Sequence, residues 1–124
     1  MPQFAIVDTH LHIFDPIRLT YPWHGTNPQL DGPFLLPDFD EHCASVDVER
    51  MVFVECGARD RVAEAQWVSQ EAHADPRIQA IVASAPLEKG AAARPDLEAL
   101  AELPLVHGVR RLIQDEPDDD FCVR

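Results

Sequence analysis

From Ile6 to Phe14 the chain alternates with a period of two. Ile6, Asp8, His10 and His12 share one side, and Val7, Thr9, Leu11 and Ile13 the other. That period is the mark of a strand, whose successive side chains point to opposite faces. The pattern predicts a first strand over 4–14, halted at Asp15-Pro16 because proline lacks an N–H and restricts its predecessor. Its outward face (Val7, Leu11, Ile13) calls for helices, while the other face turns polar toward its C-terminal end. Residues 17–36 hold Pro22, Gly25, Pro28, Gly32 and Pro33, along with Tyr21, Trp23 and His24. They predict a long irregular loop, the kind that often serves as a lid.

A helix is expected from Asp38, as its cap, to Val46. Met51-Val52-Phe53-Val54 predicts a buried strand ending at Glu55-Cys56-Gly57. Val62, Ala65, Val68 and Ala72 recur at helical spacing, so 60–74 reads as a helix stopped by Asp75-Pro76. Residues 78–85 predict a third strand. Residues 95–103 predict a short helix with Pro95 at an early position and Leu97, Leu100 and Ala101 inward. Residues 105–113 predict a fourth strand, and an acidic loop follows from Gln114.

Strands alternating with helices argue a parallel sheet covered by helices. The last three strands begin near 51, 78 and 105, at equal intervals close to the roughly 30 residues per unit of a (β/α)8 barrel. Four strands can form an open layer or half a barrel. The polar C-terminal end of the first strand favours the barrel, where catalytic side chains stand at strand ends. The fold expected is α/β, with parallel βα units forming the N-terminal half of a TIM barrel in a single partial domain, 1–124.

Composition narrows the function. The 124 residues carry 10 basic and 22 acidic side chains, a net charge of -12. That excludes nucleic acid and anionic membranes as expected partners, since phosphate contacts need clustered lysine and arginine. A small anionic substrate is still allowed, because a few pocket arginines can set a local field of opposite sign. No apolar run nears the ~20 residues that span a bilayer, and the start of the chain lacks signal-peptide character, so a cytoplasmic location is expected. The run Asp115-Glu116-Pro117-Asp118-Asp119-Asp120 reads as solvated loop, with a cation site as the sharper alternative. Cys43, Cys56 and Cys122 are odd in number and form no C-x-x-C, which argues against a disulfide framework or zinc knot.

Two imidazoles on one strand face stand about 7 Å apart by the strand rise and can reach one centre. His10 and His12 are thus candidate ligands for zinc or a similar cation. They can also serve as donors to a substrate carbonyl without metal, or as a plain hydrogen-bonded pair. Asp8 can orient an imidazole or make an internal hydrogen bond. Glu55 ends the second strand and can bind a cation, move a proton, or lie exposed in a loop. Trp23 is either the wall of a pocket or a plug over the core. Arg110 and Arg111 must point to opposite faces. Arg110 is assigned inward, to clamp a carboxylate, and Arg111 outward, to an ion pair. His42 and His73 belong on helix surfaces. No G-x-S-x-G, P-loop or G-x-G-x-x-G occurs, so serine-hydrolase and nucleotide chemistry have no support.

Val7-Asp8-Thr9-His10-Leu11-His12-Ile13-Phe14-Asp15-Pro16, followed by Tyr21-Pro22-Trp23, resembles the opening of the amidohydrolase-2 branch of the amidohydrolase superfamily. That branch includes L-fuconolactonase-like sugar lactonases, 2-pyrone-4,6-dicarboxylate hydrolase and metal-dependent decarboxylases. Val52-Phe53-Val54-Glu55, Ala85-Pro86-Leu87-Glu88, Gly108-Val109-Arg110 and the stretch from Gln114 to Phe121 resemble the lactonase subgroup more closely. The resemblance implies a hydrolase that opens a sugar lactone or a carboxylated cyclic ester. Its catalytic residues would be His10, His12 and Arg110, with Trp23 and Glu55 at the substrate. It permits, without requiring, one divalent cation, zinc by preference, on His10 and His12, since members of the branch differ in whether they need a metal. The family's later-strand histidines and its eighth-strand aspartate have no counterpart in these residues, so the chain alone is expected to be inactive. A decarboxylase, or a non-catalytic module that self-associates through uncovered sheet edges, are the alternative expectations.

Overall fold

Met51, Phe53 and Ile81 are completely buried, and around them one apolar core forms between a sheet and its helices. A computed structural model describes residues 4–123. The strands are β1 (Ile6–Leu11), β2 (Val48–Val54), β3 (Ile78–Ser84) and β4 (Val106–Arg110). Between them run α1 (Leu36–His42), α2 (Arg61–Ala74) and α3 (Arg94–Ala101), the last preceded by a 3₁₀ segment over Leu87–Ala93. Among the described residues the strands make one sheet in the order β1-β2-β3-β4, every pair parallel. This is the α/β arrangement of the N-terminal half of a TIM barrel. Leu36 and Phe39 of α1, Ala65, Trp67, Val68 and Ala72 of α2, and Leu100 of α3 supply the helical side of the core. No helix among the described residues is long and apolar enough to cross a membrane.

The strict alternation expected along 4–14 does not hold. From Asp8 to Leu11 β1 advances three residues while β2 advances only two, from Met51 to Phe53. One extra residue in a strand inverts which side chains face the core. Leu11 and Ile13 are buried against the helices, whereas Val7, expected on the same face, stands 51% exposed. The strand also ends at Leu11, so His12 lies just past it.

Other differences have local causes. Asp38 does not cap α1. The cap position is Leu35, Pro37 sits in the first turn, and the Asp38 carboxylate accepts the Leu35 N–H at 2.8 Å. Asp60 does cap α2, accepting the Ala63 N–H at 2.9 Å. In α3 the buried position is Leu100, with Ala93 buried at its cap and Leu97 half-buried between them. Ala101 falls on the solvent side of that stripe and is exposed, not inward. β4 stops at Arg110 because Arg111 is drawn away from the strand into ion pairs with Glu88 and Glu116.

The segment between Phe14 and Phe34 is irregular but closed. Phe14 and Phe34 exchange both backbone hydrogen bonds at 2.9 Å. Phe14, Tyr21, Trp23 and Phe34 pack as an aromatic cluster, with Phe14 and Trp23 centroids 5.0 Å apart. The side chains that the loop's prolines and glycines separate in sequence are thereby gathered over the C-terminal ends of β1 and β2.

Candidate active site

A cavity of about 520 Å³ opens at the C-terminal ends of the strands, and its lining includes His10, His12, Trp23, Glu55 and Arg110. All five residues singled out from sequence are brought to one place. His12 follows β1, Glu55 follows β2, and Arg110 is the last residue of β4.

The His10 and His12 rings meet edge to face with centroids 4.8 Å apart. His12 Nδ1 lies 2.9 Å from the Val54 carbonyl oxygen. A carbonyl can only accept, so Nδ1 carries the hydrogen and the neutral ring keeps its lone pair on Nε2. Burial holds His12 below the usual imidazole value. The bond to Val54 opposes this, and the nearby His10 and Arg110 reinforce it. His12 therefore presents an unprotonated nitrogen at neutral pH. Asp8 does not orient either ring; its Oδ1 accepts the His10 backbone N–H at 2.9 Å.

Glu55 is not an exposed loop acid. Its side chain is 2% exposed, with Oε1 accepting from Arg110 Nε at 2.8 Å and Oε2 from the Gly57 N–H at 2.8 Å. Arg110 also donates to the Glu55 carbonyl oxygen at 2.9 Å. Both carboxylate oxygens are thus engaged, and Glu55 fixes the guanidinium that borders the cavity. Arg111 turns the other way. It pairs with Glu88 and Glu116 and stacks 4.7 Å above the Phe121 ring.

Trp23 is both wall and plug. Its ring packs against the aromatic cluster, lines the cavity, and donates from Nε1 to the Cys56 carbonyl oxygen at 2.6 Å. Gly57 lies beneath it with φ +77°, and a Cβ there would come within 3.3 Å of the indole.

Two participants were missed from the sequence. Glu64 sits one turn into α2, on the stripe of Val68 and Ala72, and is 1% exposed despite its charge. It accepts the Cys56 N–H at 3.0 Å, and burial pushes it up to about 7. The same burial, with Glu64 and Glu55 nearby, pushes the Cys56 thiol up to about 12, so that thiol is inert. Asp115 also borders the cavity, in a left-handed conformation with φ 63°. Its place in an acidic run hid it, since most of that run turns elsewhere. Among the described residues no group of three metal-ligating side chains forms. A cation held by His10 and His12 would find two of its usual four ligands in this chain.

No family model matches the chain, and no curated protein matches it. A solved structure does. It is an amidohydrolase 2 from Bifidobacterium longum subsp. infantis, similar with a TM-score of 0.61 at 25% sequence identity. The likeness covers 68% of this chain and 34% of that one, so the chain spans about a third of its neighbour. It supports the amidohydrolase-2 resemblance and the barrel fold.

Proposed function

We propose that this chain forms the first half of the active site of a hydrolase that opens a sugar lactone or related carboxylated cyclic ester. The observation that carries the reading is the shared cavity: His10 and His12 at the end of β1 and Arg110 at the end of β4 border one space with Trp23 as its wall. Lactone opening needs a polarised carbonyl, a positioned water and a way to hold the substrate. His10 and His12 stand where donors or cation ligands can meet a carbonyl oxygen. A divalent cation on these two rings, zinc by preference, would act as a Lewis acid. Arg110, held rigid by Glu55, binds a substrate carboxylate through its remaining N–H groups. Trp23 shields one side of the bound ring from water. The base that takes the proton from the attacking water belongs to later strands of the complete barrel, so these residues bind substrate without turning it over.

The test is an assay of a sugar-lactone panel with the chain joined to its later strands, with and without chelator. Ring opening abolished by Arg110→Gln supports the reading. Release of CO2 from aromatic acids with no lactone opened assigns a lyase instead.

A further inference from the structure

A second cavity, of about 530 Å³, adjoins the first, and Glu55, Gly57, Leu112 and Gln114 line both. Arg59, Arg61 and Arg111 border it, together with Ser84. The charge there is unexpected in a chain of net charge -12. Arg18, Arg50, Arg77, Arg94, Arg110 and Arg111 each have a carboxylate oxygen within ion-pair distance. Among the described residues, Arg59 and Arg61 are the arginines that make no such pair, and both line this cavity. The acids near them are otherwise engaged. Asp60, between them, caps Ala63, and Glu88 is bonded to Arg111 at 2.9 Å. Glu55 and Glu116 also line this cavity, but each is bonded to an arginine, Arg110 and Arg111. Arg59 and Arg61 therefore border it with no carboxylate of the described residues within ion-pair distance, which leaves their N–H groups for an outside anion.

We infer that Arg59 and Arg61 form a distal subsite for a second anionic group, a carboxylate or phosphate ester, on a substrate whose reacting end occupies the His10–His12–Arg110 cavity. This deepens the proposed function and rests on it. Guanidinium suits either anion because its planar fork matches two oxygens at once. The substrate is then elongated and at least doubly anionic, with its ester carbonyl nearer Arg110. Neutral lactones would occupy the first cavity only.

The test is an NMR titration of the 124-residue chain, following the Nε–H signals of Arg59, Arg61 and Arg110. The probes are inorganic phosphate, a series of dicarboxylates, and acetate. Phosphate or a dicarboxylate should shift Arg59 and Arg61, and Arg59→Gln with Arg61→Gln should weaken that binding about tenfold or more. The matching lysine variants should recover most of it. Tighter phosphate than dicarboxylate binding identifies a phosphate ester, and the reverse a second carboxylate. Unmoved arginine signals with either probe, or equal affinity in the double glutamine variant, overturns the subsite. Acetate reports separately on Arg110: if it leaves that signal unmoved while phosphate shifts Arg59 and Arg61, the distal anion site stands and the proposed function fails.

Discussion

Arg110 reaches across β3 to Glu55, so one ion pair ties the ends of two strands that are not neighbours in the sheet. Glu55 is buried and Arg110 is only 27% exposed on its side chain. Such a pair is weak as a net stabiliser, because desolvation offsets its attraction, but removing one partner leaves a charge without compensation. Arg110→Ala should cost about 2–3 kcal/mol in urea unfolding, below the larger losses of fully buried pairs. Adding Glu55→Gln should return part of that loss. Strict additivity of the two changes would show that the pair is not coupled.

Glu64 predicts a pH dependence. Its folded value is near 7, above the 4.5 of a free carboxyl. A raised folded value means that the folded state favours the protonated form. The associated stability is full below the unfolded value and lost as pH rises through about 7. Glu64→Gln removes the titration while keeping an acceptor for the Cys56 N–H. The variant should match the parent at pH 5 and exceed it by roughly 2–3 kcal/mol at pH 8. An equal loss at both pH values would mean that Glu64 stays ionised.

The topology was legible because hydrophobic runs recur at even spacing and two proline stops mark real boundaries, Asp75 at the end of α2 and Pro86 just after β3, whereas β1 stops at Leu11, short of Asp15-Pro16. The strand phase was not. A bulge between Asp8 and Leu11 leaves no trace in a two-residue period, so Val7 was assigned to the covered face. Of the site, His10, His12 and Arg110 could be found because each stands at a strand end. Glu64 could not, since a glutamate inside a helix looks solvated until the Cys56 backbone is seen to need its oxygen. Trp23 was ambiguous for a physical reason, as one indole face can pack on aromatics while its edge borders a cavity.

Gly57 tests whether Trp23 is held from below. Gly57 and Gly25 both have positive φ, +77° and +86°, but a Cβ at Gly25 meets nothing within 4 Å. Gly25→Ala measures backbone strain alone, about 1 kcal/mol. Gly57→Ala adds the displacement of Trp23 and should cost about 1 kcal/mol more, with a shift in indole fluorescence that Gly25→Ala lacks. Trp67, buried on α2, is the other tryptophan, so the comparison is best made in a Trp67→Phe background. Equal costs and unchanged fluorescence would place Trp23 free of Gly57.

His12 offers the most direct check on the chemistry of the cavity. Its titration is held below the usual imidazole value of 6.5, chiefly by burial. A depressed folded value means that stability is present above the unfolded value and is lost as pH falls through the folded one. In metal-free, chelated buffer the His12 ring should titrate below 6.5 by NMR, with its hydrogen on Nδ1 throughout the neutral range. His12→Asn, which keeps a donor for Val54 but cannot gain a proton, should flatten the acid side of the stability profile relative to the parent. If the ring instead carries its hydrogen on Nε2, no lone pair faces a carbonyl, water or cation from that nitrogen. The cavity would then lack the lone pair that His12 is expected to present to it.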